Sequence, residues 1–253
     1  MKKTAVVTGA SSGLGLEFVK LFANDGYNLV VIARNEEKLQ ELKRTYPNIT
    51  VTVISKDLSK PNGIKEVVDV IRTQKITVDV LVNNAGFGLL GAFEDLSIEE
   101  QLNMIQLNIS SLTELTYHLL PDLKKTSGKI LNIASTAAFQ PGPNMAVYYA
   151  TKAFVLSFSE ALAEELREVA ITVTTLCPGA TKTNFSSVAK VENTKMFSNA
   201  MSSEVVAKIG YVSLMQGKRV VIPGGLNKVG ALVAKFLPRR TAAKVAKLVM
   251  TEN

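Results

Sequence analysis

Apolar residues along the chain follow two alternating patterns. Seven short runs are nearly continuous in apolar and β-branched residues, as expected for strands covered on both faces in a parallel sheet. These runs are 5–8, 29–33, 51–54, 78–83, 130–133, 171–176 and 220–222. The segments between them repeat apolar residues at the spacing of amphipathic helices, the longest covering 102–123 and 147–166. The alternation predicts an α/β fold: a doubly wound, seven-stranded parallel sheet with right-handed crossovers and helices on both faces.

Two segments depart from this alternation. Residues 181–200 are polar and follow a predicted strand end, where open α/β sheets bind ligands, so we expect a loop that covers a substrate. Residues 224–253 have the pattern of two short amphipathic helices separated by Pro238. We therefore expect one domain, with its body at 1–223 and a helical extension of the same domain at 224–253.

Composition and charge narrow the choice of protein class. With 253 residues, of which 47% are hydrophobic and 20% charged, the chain is neither disordered nor collagen-like. It has no apolar run near the roughly 18 residues of a membrane span and no secretory signal in its first ten residues. The lone Cys177 cannot form an internal disulfide, which is typical of a reducing compartment. These features predict a cytoplasmic protein.

The net charge of +7 is unevenly distributed. The segment 224–253 has six cations and one carboxylate, a net charge of +5, so the body is nearly neutral. A basic segment on a neutral body argues only weakly for nucleic acid, and we expect no nucleic-acid partner. Because His118 is the only histidine and no His/Cys or carboxylate cluster is present, we expect no metal site. We interpret His118 and Cys177 as structural residues.

A glycine-rich turn joins the first predicted strand to the first predicted helix. Residues 9–15 read Gly-Ala-Ser-Ser-Gly-Leu-Gly. Glycine lets backbone N–H groups approach an anionic pyrophosphate at a helix N-terminus. The spacing differs from the G-x-G-x-x-G fingerprint. The turn favours a dinucleotide site, although a purely structural turn has the same composition.

Arg34, at the end of the second predicted strand, bears on the choice of dinucleotide. It lies 19 positions after Gly15, close to where the fingerprint often has an acidic residue on the ribose 2′-hydroxyl. A guanidinium can pair with a 2′-phosphate that a carboxylate would repel. The sequence thus predicts NADP(H) as the cofactor. The alternative is that Arg34 only begins the next helix and faces solvent.

Several motifs together resemble the single-domain short-chain dehydrogenase/reductase family over about residues 3 to 222. They are Thr8-Gly9-x-x-x-Gly13-x-Gly15, Asp57-Leu58, Asn83-Asn84-Ala85-Gly86, Asn108, Ser135, Tyr148-x-x-x-Lys152 and Pro178-Gly179. The resemblance implies a Rossmann-type catalytic domain at 1–223. The cofactor residues that it implies, together with Arg34, are Gly9, Ser11, Ser12, Gly13, Leu14, Gly15, Asp57, Leu58, Asn83, Ala85, Gly86, Tyr148, Lys152, Pro178, Gly179, Thr181 and Thr183. Asn83 is also expected to brace the central sheet.

The resemblance further implies a catalytic tetrad of Ser135, Tyr148, Lys152 and Asn108. In carbonyl reduction Tyr148 would be the general acid, Ser135 would bind the substrate carbonyl, and Asn108 would support a proton-relay water. Lys152 would bind the nicotinamide ribose. An ammonium about 5 Å from a phenol oxygen is worth roughly 3 kcal/mol at an effective dielectric near 20, or about two pKa units, so Lys152 would also lower the tyrosine pKa.

The tyrosine motif also has a structural alternative. A Tyr-x-x-x-Lys pair taken alone is typical of an ordinary amphipathic helix surface. Tyr149 lies about 100° around the helix from Tyr148 and is expected to face elsewhere. The candidate substrate walls are Phe87, Phe139, Met145, Phe185, Val188 and Met196, which favour a partly apolar ketone or aldehyde. The alternative is that these side chains simply pack the loops.

Partners and a second function stay open. The long fourth and fifth helices and the family resemblance favour a homo-oligomer, a dimer or a tetramer. The basic amphipathic segment 224–253 is compatible with an anionic membrane surface, although packing on its own domain or a neighbouring subunit is the favoured interpretation. Because a fold does not fix function, the alternative to an enzyme is a catalytically silent NADP(H)-sensing protein.

Overall fold

The computed structural model describes residues 2–183, 185, 189 and 200–249. In chain order the strands are β1 (Thr4–Thr8), β2 (Asn28–Ala33), β3 (Val51–Ser55), β4 (Val80–Asn83), β5 (Lys129–Ile133), β6 (Thr172–Leu176), β7 (Thr181–Lys182), β8 (Met201–Ser202) and β9 (Val220–Val221). Seven of them form one parallel sheet in the order β3-β2-β1-β4-β5-β6-β9, and β7 pairs with β8 separately. The predicted seven-stranded, doubly wound sheet is confirmed.

Helices follow most of the strands. They are α1 (Gly13–Asn24), α2 (Glu36–Thr45), α3 (Gly63–Thr73), α4 (Ile98–Ile105), α5 (Leu112–Thr126), α6 (Ala146–Glu165), α7 (Ser203–Met215), α8 (Gly225–Phe236) and α9 (Arg239–Val249). Helix starts are fixed by caps such as Asn35, whose side chain accepts a hydrogen bond from the Lys38 N–H at 3.0 Å. A π-helical stretch, Gln106–Ser111, joins α4 to α5 within the long helix that the sequence predicts. The two predicted helices on either side of Pro238 are present as α8 and α9.

Both faces of the sheet are buried, which explains the nearly continuous apolar strands. On one face Val7 of β1 packs in a core with Phe18 and Phe22 of α1. On the other face Val6 packs with Ile71 of α3 and Leu119 of α5. Burying each such large side chain stabilises the fold by about 1.5–3 kcal/mol. The core thus buries β1 on both faces, between β2 and β4.

The strand order reverses beside β1. The chain runs outward from β1 through β2 to β3 and then returns to place β4 on the other side of β1. Crossover helices therefore diverge at the carboxyl ends of β1 and β4, and they leave a crevice there. Ligands of open α/β sheets bind at such a reversal, so the topology decides where a site can form.

Several predictions about the chain as a whole stay untested. Most of the predicted substrate-covering loop, 181–200, lies outside the described residues. The division at residue 223 and the cytoplasmic location also stay predictions. Within the described ranges, no helix is long and apolar enough to cross a membrane.

Candidate active site

A cleft of about 770 Å³ opens at the carboxyl ends of the central strands. Its volume falls in the range of about 300–1,000 Å³ that is usual for small-molecule sites. Most of the predicted cofactor residues line it: Gly9, Ser11, Ser12, Gly13, Leu14, Arg34, Asp57, Leu58, Ala85, Gly86, Tyr148, Lys152, Pro178, Gly179, Thr181 and Thr183. Ser135 lines the same cleft. Residues far apart in sequence therefore meet along one continuous surface.

Glycine is required where β1 turns into α1. Gly9 has a φ of +67°, in the left-handed region, and a Cβ there would lie 2.7 Å from Nδ2 of Asn84. A Cβ on Gly15 would lie 2.1 Å from the Gly9 carbonyl oxygen. A larger residue at either position would push α1 away from the strand end. Gly15, expected among the cofactor residues, does not line the cleft and instead packs the helix against the turn.

The turn leaves the N-terminus of α1 open to the cleft. Ser12 occupies the cap position with an extended backbone, and its side chain makes no capping hydrogen bond. The first N–H groups of the helix, together with the helix dipole, are therefore available to an anion. Thr183 closes this region from the opposite side, since a Cβ on Gly13 would lie 3.1 Å from its Cβ. These features fit a bound pyrophosphate.

At one end of the cleft two cations follow neighbouring strand ends. Ala33 of β2 pairs with Ser55 of β3, so Arg34 and Lys56 come next on adjacent strands, and both line the cleft. Arg34 is exposed but precedes the helix cap rather than starting α2. Lys56 also forms an ion pair with Glu66. Sequence reasoning missed Lys56 because its position depends on the strand register.

Asp57 lies beside these cations. Burial alone would raise the pKa of its carboxyl group, but hydrogen bonds from the Ser59 hydroxyl (2.7 Å) and backbone N–H (3.0 Å) oppose burial. With the nearby charges of Arg34 and Lys60, they bring the pKa below its ordinary value. Asp57 is therefore an anionic hydrogen-bond acceptor at neutral pH. It lies at the end of the cleft where the family resemblance places the adenine of the cofactor.

The two asparagines at the carboxyl end of β4 have different environments. The amide of Asn83 donates to Asn132 (2.9 Å) and Thr116 (3.0 Å), so it braces the sheet as expected but does not line the cleft. Asn84, absent from the predicted site, lines the cleft. Its Nδ2 donates to the Thr8 carbonyl at 2.9 Å and joins the ends of β1 and β4 across the crevice. Alternation along a strand turns adjacent side chains to opposite sides, and only the register decides which one meets the cleft.

Ser135, Tyr148 and Lys152 meet at the other end of the cleft. Ser135 follows β5 and caps a short 3₁₀ turn, Thr136–Phe139, by accepting a hydrogen bond from the Ala137 N–H at 3.1 Å. Tyr148 and Lys152 lie one turn apart in α6, and the Lys152 ammonium is 5.8 Å from the centre of the Tyr148 ring. Lys152 Nζ donates to the Ile133 carbonyl at 2.9 Å, which fixes its position next to β5.

Burial dominates the electrostatics of this group. It raises the pKa of Tyr148 to about 12, and a hydrogen bond with the Ser135 side chain opposes the shift. It also lowers the pKa of Lys152 to about 8. The sequence predicts that the ammonium lowers the tyrosine pKa, whereas in the structure the burial of the phenol gives a net rise of its pKa. Tyr148 is therefore protonated at neutral pH in this structure.

Asn108 lies behind the cleft, in the π-helical stretch between α4 and α5. Its Nδ2 donates to the Phe87 carbonyl (2.9 Å) and to Thr151 Oγ1 (3.1 Å), and its Oδ1 accepts from the Phe87 N–H (3.1 Å). Both amide hydrogens are thus used in holding the loop after β4 against α6. Interruptions of this kind in a helix often mark functional sites.

The predicted substrate residues are only partly brought together. Phe87, Met145 and Phe185 line the cleft. Phe139 does not: it packs in a separate apolar cluster, and Lys235 of α8 lies over its ring. Val188 and Met196 lie outside the described residues.

Further side chains that the sequence did not indicate also line the cleft. Tyr149, expected to face elsewhere, is one of them, and the centre of its ring is 6.2 Å from that of Tyr148. Leu89, Asn103 and Leu107 contribute as well. The loop after β4 and the start of α6 fold toward each other, so neighbouring positions on both segments reach the same space.

Comparison with known proteins agrees with this geometry. The chain matches the family model for short chain dehydrogenases over residues 3–195, and it belongs to that family. An uncharacterized oxidoreductase from Staphylococcus epidermidis is 34% identical over 183 residues, which are 72% of this chain and 79% of that protein. The chain is accordingly an oxidoreductase of this family.

Two solved structures show the same fold with different cofactors. A short-chain dehydrogenase from Sphingobium yanoikuyae in complex with NADPH is 28% identical, with a TM-score of 0.81 over 96% of this chain and 99% of that one. A 3-ketoacyl-(acyl-carrier-protein) reductase from Brucella melitensis complexed with NADH is also 28% identical, with a TM-score of 0.76 over 88% of this chain and 97% of that one. Family membership therefore leaves the choice between the two dinucleotides to local residues.

Proposed function

We propose that the chain is an NADP(H)-dependent reductase of a partly apolar ketone or aldehyde. The observation that carries the proposal is that Ser135, Tyr148 and Lys152 line the same cleft as the glycine turn at the N-terminus of α1. An acid, a hydroxyl and an ammonium thus lie within one space that also fits a dinucleotide. Bound nicotinamide supplies the hydride for such a reaction.

Tyr148 is the general acid in this proposal. A carbonyl oxygen that gains charge during reduction needs a nearby proton, and a phenol with a pKa of about 12 still holds its proton at neutral pH. Ser135 donates a hydrogen bond to the same oxygen and orients it toward Tyr148. In the reverse reaction the phenolate of the same side chain would be the base, and we propose carbonyl reduction as the physiological direction.

Lys152 and Asn108 support the acid. The Lys152 ammonium, fixed by the Ile133 carbonyl, favours the phenolate that is left after proton transfer and binds the nicotinamide ribose. Asn108 holds the backbone at Phe87 with two hydrogen bonds. Because its side-chain groups are all engaged, we propose that the backbone it positions, and not its amide, holds the water that returns a proton to Tyr148.

The preference for NADP(H) is proposed from charge. Arg34 and Lys56 both line the end of the cleft beyond the glycine turn, and the residue after β2 is a cation where a carboxylate would select a free 2′-hydroxyl. A guanidinium and an ammonium on adjacent strand ends favour a 2′-phosphate. The neighbouring anionic Asp57 stays available for the adenine.

A tyrosine replacement tests the reaction. Tyr148→Phe should reduce turnover at least about a hundredfold, the usual contribution of general acid catalysis, while NADPH still binds. Loss of reduced-nicotinamide absorbance across a panel of ketones and aldehydes measures turnover, and protein fluorescence titration measures binding. Tyr46→Phe, which removes a phenol hydroxyl outside the cleft, is the matched control and should keep activity. Equal turnover in Tyr148→Phe and the parent protein would reassign the acid.

An arginine replacement tests the cofactor. Arg34→Asp should lower kcat/KM for NADPH and leave that for NADH equal or higher, whereas Arg44→Asp on the outer part of α2 should change neither. An unchanged ratio in Arg34→Asp would remove the 2′-phosphate assignment. If no carbonyl oxidises bound NADPH even in a single turnover, the nucleotide-sensing alternative replaces the enzyme.

We also propose a homo-oligomer. The family resemblance supports contact between copies through the two long helical segments 102–123 and 147–166. Exposed apolar side chains on both segments support it as well: Leu102, Tyr117 and Phe154, at 57%, 73% and 38%. Light scattering of the purified protein tests the proposal, and a monomer at micromolar concentration would contradict it.

A further inference from the structure

On the helices α8 and α9 the buried side has small residues, whereas many of the large apolar residues are exposed. On α8 the small Ala231 and Ala234 are buried, and on α9 the small Ala242 and Ala246 are buried. The buried sides of both helices are therefore made of small residues. Helix α8 contacts the body of the domain through Asn227, which lies beside Gly179, and through Lys235, which lies over the Phe139 ring.

The large apolar side chains of α8 point away from the protein. Leu226 and Phe236 are 83% and 81% exposed, and Val229, Leu232 and Val233 are each about half exposed or more. At 100° per residue these five positions fall within an arc of about 120° on the helix surface. We call this arc the outer face of α8. A contiguous exposed apolar surface of this kind usually marks an interaction site.

Cations accompany the outer face. Lys228 and Lys235 on α8 and Arg239, Arg240, Lys244 and Lys247 on α9 are all exposed. None of the six is in an ion pair with a carboxylate in the described ranges, and the sequence has no Asp or Glu between residues 224 and 251. The region therefore has uncompensated positive charge next to an apolar stripe.

The apolar stripe and the neighbouring cations together favour one binding partner over the others. Docking the face on its counterpart in a second copy would bring two regions of uncompensated positive charge together, which is electrostatically unfavourable. A nucleic acid would match the charge but would leave the apolar stripe in water. We propose that the outer face of α8 docks the protein on an anionic phospholipid membrane surface, with the stripe among the acyl chains and the cations at the headgroups.

The same helix touches the cleft on its opposite side. Asn227 of α8 donates from Nδ2 to the Pro223 carbonyl at 2.8 Å. A Cβ on Gly179, which lines the cleft, would lie 2.5 Å from Asn227 Oδ1. Docking therefore places a membrane directly against the helix that backs the cleft wall. An apolar carbonyl compound dissolved in the bilayer would be close to the site.

Vesicle sedimentation of the full chain tests the proposal. The protein should sediment with phosphatidylcholine vesicles that contain roughly a third phosphatidylglycerol, and at least about tenfold less with phosphatidylcholine alone. Binding should also fall as salt rises to about 1 M, where the Debye length is only about 3 Å. Leu226→Ser/Phe236→Ser should weaken binding to the anionic vesicles at least about tenfold, because both side chains lose their burial in the acyl region.

A control variant, thermal melting and the oligomeric state show whether a loss of vesicle binding comes from the outer face of α8 itself. Phe93→Ser/Ile98→Ser removes two large side chains that are 63% and 53% exposed elsewhere and should bind like the parent protein. Thermal melting identifies a variant that fails to fold. Absence of sedimentation with anionic vesicles, or binding that the Leu226→Ser/Phe236→Ser change leaves intact, would overturn the proposal. Loss of an oligomer in that variant without vesicle binding by the parent would assign the face to a second copy instead.

Discussion

The replacement Asn108→Ala tests whether the buried hydrogen bonds of this side chain hold the loop after β4 in place beside the cleft. The side chain is only 2% exposed and holds both backbone polar groups of Phe87, at 3.1 Å and 2.9 Å, and the Thr151 hydroxyl at 3.1 Å. Alanine removes all three contacts. Thr151 keeps its second bond, to the Tyr148 carbonyl at 2.7 Å, so the two groups of Phe87 are the ones left without partners.

The magnitude follows from these two groups. Leaving a buried donor or acceptor unsatisfied costs about 1–3 kcal/mol, so the variant should lose on the order of 3 kcal/mol of unfolding free energy. For a chain of this size, each kcal/mol lowers Tm by roughly 2–4 °C. A fall in Tm of about 6–12 °C is therefore expected. Turnover should fall as well, because the backbone beside Gly86 in the cleft loses its anchor.

Urea unfolding followed by circular dichroism measures the loss. Asn103→Ala, five positions earlier on the same long helix, is the matched control; this half-buried side chain lines the cleft and should cost less than about 1 kcal/mol, as is usual for residues outside such networks. If Asn108→Ala also costs less than about 1 kcal/mol, solvent replaces the amide and the argument from buried partners is refuted.

Two further changes probe the group around Tyr148. Burial lowers the pKa of Lys152 from 10.5 to about 8, so between these values the folded protein binds fewer protons than the unfolded chain and its stability rises with pH. The unfolding free energy of the parent protein should accordingly rise by about 3 kcal/mol relative to that of Lys152→Met from about pH 7 to about pH 10.5. Gly88→Ala should lower kcat at least about tenfold, because its Cβ would lie 2.9 Å from both the Tyr148 and Phe185 rings and a misplacement near 1 Å is this costly.

Each of these two predictions has its own control. For the lysine, Lys124→Met, which removes an exposed ammonium on α5, is the matched control. A difference between Lys152→Met and the parent protein that stays constant with pH would contradict the burial of a titrating ammonium. For the glycine, Gly230→Ala adds a methyl group with nothing within 4 Å and should leave kcat unchanged. Normal turnover in Gly88→Ala would mean that the rings move aside without cost.

Much of the fold could be predicted from the sequence because strands that are buried on both faces consist of continuous runs of apolar residues. A strand such as β1 has no polar side once helices cover both faces, so its apolar run is continuous and recognisable. The bounds were less predictable: β4 begins at Val80 rather than at residue 78. The π-helical stretch around Asn108 was not predicted, because it leaves the apolar spacing of the long helix almost unchanged.

The sequence alone determined three features: the glycine-rich turn, the placement of Tyr148 and Lys152 one helical turn apart, and the break between α8 and α9. Each of them depends only on residues within a short stretch of the chain. Tertiary structure alone decided that Asn84 rather than Asn83 meets the cleft, that Lys56 stands beside Arg34, and that Phe139 turns away. It also decided the direction of the Tyr148 pKa shift, which depends on how much water the folded protein removes. Register and burial arise from contacts between distant segments, and no local pattern encodes them.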